Sequence, residues 1–292
     1  MMRRRGILLI ACGLAVVCLS ERAVAISNSE ARLHFIDASG EGRDLTLSKL
    51  RADCGDEVIG VSDPYHKRVM RYTAMSLRCV LDLGFPKTGG AAGLSGQGLL
   101  LRALDGYTRP VRGEDLLETG AFLAFGEPDL IEAGENRSWF SRIDRRGVDP
   151  GPFYLVWTGE TQNDPHVHPW PYQLATIQVA PFSEAFPRTV PKGLDPADPG
   201  WSGYALFQRA CASCHAINGE GGKVGPDLNV PRSIVEYRPI AQIRGYIRNP
   251  QATRYTSMPA HPGLGEAELD ALIAYFHAMS ERKDDPGLRG GS

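Results

Sequence analysis

Five prolines fall within the twenty residues 181–200, PFSEAFPRTVPKGLDPADPG, and they divide the chain. Proline fixes φ and has no backbone N–H, so neither a long helix nor a central strand runs through such a stretch. The composition predicts an extended, fairly stiff connector between two units; a long surface loop within one domain is the other reading. The texture differs on its two sides. Before it lie short apolar runs, EVIGV (57–61), GLLLRA (98–103), AFLAF (121–125), FYLVW (153–157) and LATIQV (174–179). Such runs, rich in β-branched and aromatic residues and bounded by Gly, Pro and Asp, are expected to be strands. SLRCVLDLGF (76–85) sets Leu77, Val80 and Leu81 at helical spacing. Residues 26–180 are therefore expected to form a strand-rich α+β domain, with the glycine-rich 89–98 as a loop. Beyond the connector the pattern turns helical. SGYALFQRACASCH opens on Ser202, a candidate N-cap, and GEAELDALIAYFHAM lines up Leu269, Leu272, Ile273 and Phe276 on one stripe. Residues 201–283 are expected to be all-α, and the tail 284–292, DDPGLRGGS, disordered.

The first residues have a different logic. Arg3, Arg4 and Arg5 precede an apolar run, Gly6 to Leu19, that is short for a membrane span, and Ala23-Val24-Ala25 follows. A basic start, an apolar stretch and a small-x-small end make a signal peptide over 1–25, cleaved after Ala25, and imply export to the periplasm. An uncleaved N-terminal anchor is the alternative. Removing 1–25 leaves 28 basic and 33 acidic side chains, a net charge of −5. That balance argues against a nucleic-acid binder. It suits a soluble protein that meets a basic patch on a partner. Of the six cysteines, Cys12 and Cys18 would leave with the signal. Cys54 and Cys79 could join as a disulfide in an oxidising compartment.

Cys211 and Cys214 sit in CASCH, residues 211–215. C-x-x-C-H is the attachment signature of c-type haem. Two thiols three residues apart at a helix end can each reach one vinyl group of a single porphyrin, and His215 then faces the iron. Two rivals fit less well. A redox C-x-x-C sits near the start of a helix, whereas here the helix comes first. A zinc site needs two further ligands at matching spacing, and no second cysteine pair exists. A domain near 80 residues also builds a meagre apolar core. A buried porphyrin would complete it, against Phe207, Leu228, Leu272 and Phe276.

Around this motif, residues 201–280 resemble the class I cytochrome c family. Gly203 and Phe207 precede CASCH at the family's spacing, GPDLN (225–229) and SMPA (257–260) follow, and a leucine-rich helix closes the unit. The resemblance implies one covalent haem c held by Cys211 and Cys214, with His215 and Met258 as axial ligands. It further implies that the Pro226 carbonyl accepts from the His215 ring N–H, which orients the imidazole and strengthens it as a donor. A His/Met pair raises the potential and leaves no open position for substrate. His261 and His277 are the competing sixth ligands.

The first domain is less specific. YTAMSLRCVLDLGF followed by LRALDGYTRPVRGEDLLETGAFLAF, then GPFYLVW and HPWPYQLATIQV, loosely resembles the sulfite-oxidase-like, molybdopterin-binding fold. In that family a cysteine thiolate binds molybdenum, and neither Cys54 nor Cys79 stands at the matching place. The expectation is the fold without molybdopterin, serving as a docking or scaffolding module. His166 and His168 form an H-x-H pair that could bind copper or zinc if His34 or His66 lay nearby. No motif marks a hydrolase, phosphate-binding or metalloprotease site.

The chain is thus expected to be a two-domain periplasmic electron carrier with redox-protein partners and no membrane span after signal removal, rather than an enzyme. The alternatives are a molybdopterin-dependent sulfite-oxidase-like oxidoreductase with a fused haem acceptor, and a haem-based sensor with a weak sixth ligand.

Overall fold

The computed structural model describes residues 30–134, 138–143, 147–165, 167–256 and 258–285. The expected signal segment and its cleavage point, His166 and the tail beyond Asp285 lie outside the described residues.

The N-terminal region is strand-rich, as its sequence texture predicts. Its strands are β1 (Arg32–Ile36), β2 (Gly42–Thr46), β3 (Glu57–Asp63), β4 (Arg68–Ser76), β5 (Gly98–Ala103), β6 (Thr108–Arg112), β7 (Ala121–Gly126), β8 (Tyr154–Trp157) and β9 (Leu174–Val179). They form two sheets, β2-β1-β9-β5-β6 and β3-β4-β7-β8. Among the described residues the strand pairings of these two sheets are antiparallel except β1 with β9. Helices α1 (Leu47–Cys54) and α2 (Leu77–Gly84) are joined by a Cys54–Cys79 disulfide. The short helices α3 (Gly113–Leu116) and α4 (Pro128–Glu132) fill connections.

Strand periodicity explains which residues form this core. In β3, Ile59, Val61 and Asp63 are buried while their neighbours face water. In β4, Met70, Tyr72 and Ala74 alternate inward, and a register shift at Thr73/Ala74 brings Met75 in as well. The unbroken apolar run of β5 has both faces covered. Leu99 and Leu101 enter the N-terminal core, while Leu100 joins the core of the C-terminal unit with Phe182 and Phe186. A strand with two buried faces needs no polar alternation.

The proline-rich stretch is not extended throughout, contrary to its composition. It holds α5 (Phe182–Ala185) and a single 3-10 turn, Pro187–Thr189, and then enters the next helix. Proline is tolerated at the first turn of a helix, which is where Pro187 and Pro199 stand. Phe182, Phe186 and Val190 pack on the C-terminal core, so the segment is tied down by burial.

The C-terminal region is helical. Its elements are α6 (Pro199–Ala210), the small hairpin β10 (Ala216–Ile217) and β11 (Glu220–Gly221), α7 (Ile234–Tyr237), α8 (Ile240–Arg248) and α9 (Glu266–Ser280). Asp198, not Ser202, caps α6, its carboxylate accepting from Gly200 N–H at 2.7 Å. The helix begins three residues before the expected cap because Pro199 is preorganised for the first turn. Helices α6 and α9 cross where Gly203 meets Ala271. A Cβ on Gly203 would lie 2.0 Å from the Ala271 carbonyl oxygen. That close approach buries Tyr204, Leu206 and Phe207 against Leu269, Leu272, Tyr275 and Phe276.

The two regions are joined by backbone as well as side chains. Thr108 N–H donates to Ser213 O at 2.9 Å, and Lys223 N–H donates to Gly106 O at 3.0 Å. The Arg109 guanidinium donates to Arg209 O at 2.9 Å. Gly106 has φ +90°, and a side chain there would collide with Lys223, so the β5–β6 turn needs glycine to fit. This turn therefore rests on residues 209–223, the segment that carries CASCH. Among the described residues no helix is long and apolar enough to cross a membrane.

Candidate functional site

Helix α6 ends at Ala210, and the chain then folds tightly over CASCH. Cys211 and Ala212 N–H both donate to Phe207 O, and Cys214 and His215 N–H both donate to Cys211 O. Gly222 and Gly225 pin the turn from outside, donating to Ala212 O and Cys214 O. Side chains at those two glycines would strike Ser213 O and the His215 ring. The motif is held by backbone bonds and two close approaches that only glycine permits.

This turn forms one wall of a cavity of about 370 Å³. Cys211, Cys214 and His215 line it, as do Pro226 and Leu228 from the following loop. Ile243 and Ile247 of α8, Leu272 and Phe276 of α9, and Met258, Pro259, His261 and Leu264 from the segment between those helices line it as well. The structure thus brings Cys211, Cys214, His215, Pro226 and Met258 to one cavity, together with the expected packing residues Leu228, Leu272 and Phe276. His261 lines it too. His277 is exposed on α9 and is absent from its lining.

His215 Nδ1 stands 2.8 Å from Pro226 O. A carbonyl can only accept, so Nδ1 carries the proton and Nε2 keeps its lone pair. Burial lowers the His215 pKa from its ordinary value, opposed by the Pro226 hydrogen bond and the Asp227 charge, so the neutral imidazole is favoured. Burial pushes the Cys211 thiol up to about 12 and the Cys214 thiol up to about 11. Neither is a thiolate at neutral pH, unlike a redox or zinc-binding cysteine.

Polar groups also belong to the lining: Arg238, Tyr246, Arg254 and Thr256. Arg254 Nε donates to Tyr246 OH at 2.9 Å, and its guanidinium lies over the Tyr246 ring. Burial pushes the Tyr246 phenol up, but hydrogen bonds with Thr256 and Arg254 and the charges of Arg254 and Arg238 outweigh it and leave the phenol below its usual value. Sequence reasoning missed this group. Its only signal was arginine and tyrosine recurring in GYIRNPQATRY, a pattern that reads equally as a solvated loop.

These donors suit a haem. Two cysteines, a neutral imidazole and a thioether line one cavity, most of the remaining lining is apolar, and Arg238 and Arg254 on the same lining could pair with a porphyrin's carboxylates. The comparisons agree. Residues 202–280 match the model of the cytochrome c family. A stretch of 87 residues is 31% identical to cytochrome c oxidase subunit 2 of Alkalihalophilus pseudofirmus (strain ATCC BAA-2126 / JCM 17055 / OF4), covering 26% of this chain and 25% of that protein. The chain spans about a quarter of that relative's length. Residues 202–280 of the C-terminal region thus carry a cytochrome c domain, which supports haem c and suggests an electron-transfer role.

The N-terminal candidates are not gathered in this way. Cys54 and Cys79 are both in the disulfide. His34 pairs with Asp44 at 2.6 Å, and His168 pairs with Glu118 at 3.0 Å beside the Trp157 ring. Among the described residues no group of three His, Cys, Asp or Glu could hold a metal ion.

Proposed function

We propose that this chain is an exported, periplasmic carrier of single electrons, with one haem covalently bound through Cys211 and Cys214 and ligated by His215 and Met258. The observation that carries the reading is the meeting of those four side chains on one cavity, with the His215 tautomer fixed by Pro226. When bound, the haem supplies one-electron ferric/ferrous chemistry. The chain's part is to hold it. The Pro226 carbonyl keeps the His215 ring in place and makes its free nitrogen a stronger donor. Met258, a soft thioether, would favour the ferrous state and fill the position a substrate or carbon monoxide would need. Arg238, Arg254, Tyr246 and Thr256 would receive the propionates, and the apolar walls exclude water.

The N-terminal region, residues 26–180, is read as a sulfite-oxidase-like fold without molybdopterin. The disulfide supports only the lack of a molybdenum-binding thiolate, because it occupies Cys54 and Cys79. The region would act as a docking or scaffolding module, joined through 181–200 to the cytochrome domain at 201–283. The signal peptide over 1–25 is part of the same proposal, since thioether formation needs export. Metal analysis of matured protein tests the whole reading. One iron and no molybdenum agree with it; near-stoichiometric molybdenum would favour the oxidoreductase alternative.

A further inference from the structure

The N-terminal region lays its β5–β6 turn on the haem-attachment segment. The turn is shaped from within. The Asp105 carboxylate accepts from Tyr107 N–H at 2.9 Å, Gly106 N–H donates to Ala103 O at 3.1 Å, and Ala103 N–H donates to Tyr107 O at 2.9 Å. Three bonds then leave it for the other region. Thr108 N–H reaches Ser213 O, between the two cysteines. Gly106 O accepts from Lys223 N–H, in the loop whose Gly222 and Gly225 pin CASCH. The Arg109 guanidinium donates to Arg209 O. Behind the turn, Leu100 of β5 packs with Phe182 and Phe186, and the Arg102 guanidinium lies over the Phe186 ring. The turn is thus seated by bonds at its tip and by packing at its base.

Arg109 stands at a particular place. Helix α6 runs for 12 residues and ends at Ala210. The carbonyls of a helix's last turn lack partners within the helix and give that end a partial negative charge. Cys211 and Ala212 N–H serve Phe207 O, one turn back. Arg209 O is met by Arg109. The side chain of Arg209 itself turns to Glu268, at 3.6 Å. A half-buried cation supplied by the N-terminal region therefore sits on the negative end of α6, two residues before Cys211.

We propose that Arg109 is a positioning residue for the haem, delivered by the N-terminal region, which holds the end of α6 and raises the potential of the iron. The proposal rests on the haem reading above and gives the N-terminal region a part in the redox chemistry besides docking. Reduction adds one electron to the iron and removes one unit of its positive charge. The negative end of α6 favours the ferric state. A guanidinium seated on that end offsets it and favours the ferrous state. Half-burial limits how far salt screens the charge. Gly106 and Thr108 act with Arg109, because their bonds keep CASCH and its covering loop in register with the turn.

The test is a spectroelectrochemical titration of the full-length, haem-loaded protein. Arg109→Gln is expected to shift the midpoint potential down while the haem spectrum stays that of wild type. Arg109→Lys keeps the charge and a donor, and should restore the wild-type potential. Arg43→Gln removes the same charge from an exposed position on β2, at the opposite edge of the five-stranded sheet from β6 and four strand spacings, roughly 19 Å, away; it should leave the potential unmoved. Gly106→Val, whose side chain would collide with Lys223, should speed hydrogen exchange at the Thr108 and Lys223 amides and shift the potential down as well. An unchanged or raised potential in Arg109→Gln overturns the proposal. An equal fall in Arg43→Gln overturns it too, as an effect of net charge alone, and an equal fall in Arg109→Lys overturns the role of the cation. Faster exchange in Gly106→Val with an unmoved potential overturns the part given to the turn. A pyridine haemochrome separates the two levels: a normal one with an unmoved potential in Arg109→Gln sinks this proposal alone, whereas a wild type that gives none sinks the haem reading and this proposal with it.

Discussion

Gly203→Ala tests the packing that shapes the haem cavity. The new Cβ would lie 2.0 Å from Ala271 O, 2.6 Å from Ala271 C and 2.7 Å from Tyr275 Cβ. Carbon contacts are optimal near 3.5–4.0 Å, so α6 and α9 would have to part by more than about 1 Å. Two of the three atoms are backbone and cannot step aside. Overpacking of this kind costs roughly 1–3 kcal/mol, and separating the helices also loosens Phe207 and Phe276. Alanine recovers about 1 kcal/mol of helix propensity over glycine. A net loss of about 2 kcal/mol is expected, toward the upper end because the clash is with backbone. For a unit of this size, 1 kcal/mol shifts the melting midpoint by about 4–8 °C, so a fall of roughly 10 °C should follow. The assay is thermal unfolding of the haem-loaded protein followed by circular dichroism and by the haem absorbance. Gly245→Ala is the matched control. It lies on the exposed side of α8 with nothing within 4 Å of the added Cβ, and it should stabilise by up to about 1 kcal/mol. If both substitutions shift the midpoint equally, the crossing at Gly203 does not limit the packing.

Gly225→Ala would place a Cβ 2.5 Å from the His215 ring, and is expected to displace the imidazole and weaken the low-spin haem spectrum. Met258→Ala should remove the methionine-to-iron charge-transfer band, admit carbon monoxide to the reduced protein and lower the potential; a low-spin spectrum that lacks this band in wild type and is unchanged by the substitution would point to His261 as the sixth ligand. Paired Cys54→Ser and Cys79→Ser substitutions should lower unfolding stability by about 2–4 kcal/mol, measured in denaturant, with the haem spectrum unchanged. Asn229→Ala should cost about 1–3 kcal/mol by the same measurement, since the buried Asn229 amide donates to both Asn218 Oδ1 and Met279 O and the substitution removes both bonds.

The elements legible in the sequence are those whose own residues fix them. β3, β5, β7, β8 and β9 are apolar runs between turn residues, and α2 and α9 carry apolar stripes. CASCH is equally local, because its spacing is its geometry. The N-terminal strands that sequence reasoning passed over are RLHFI, GRDLT, RVMRYTAMS and TRPVR, each carrying at least one arginine. β2 and β6 are sheet edges, where one side meets water and charge is tolerated. Helix α8, IAQIRGYIR, hid behind an internal glycine. Asp63 lay in SDPYHK, which reads as a turn, and half of its bonds do serve one. The phenols of Tyr72 and Tyr154, which also donate to its carboxylate, come from 9 and 91 positions away, which no local pattern reveals. The seat of the β5–β6 turn on the CASCH segment was invisible for the same reason. Only a fold brings Gly106 to Lys223.

The most direct test of the central claim is to extract exported, matured protein with acidified acetone and weigh the intact chain by mass spectrometry. The haem colour should stay with the polypeptide, whose mass should equal the processed chain plus one haem. Pigment that passes into the solvent, or a colourless chain at its bare mass, would contradict attachment through Cys211 and Cys214.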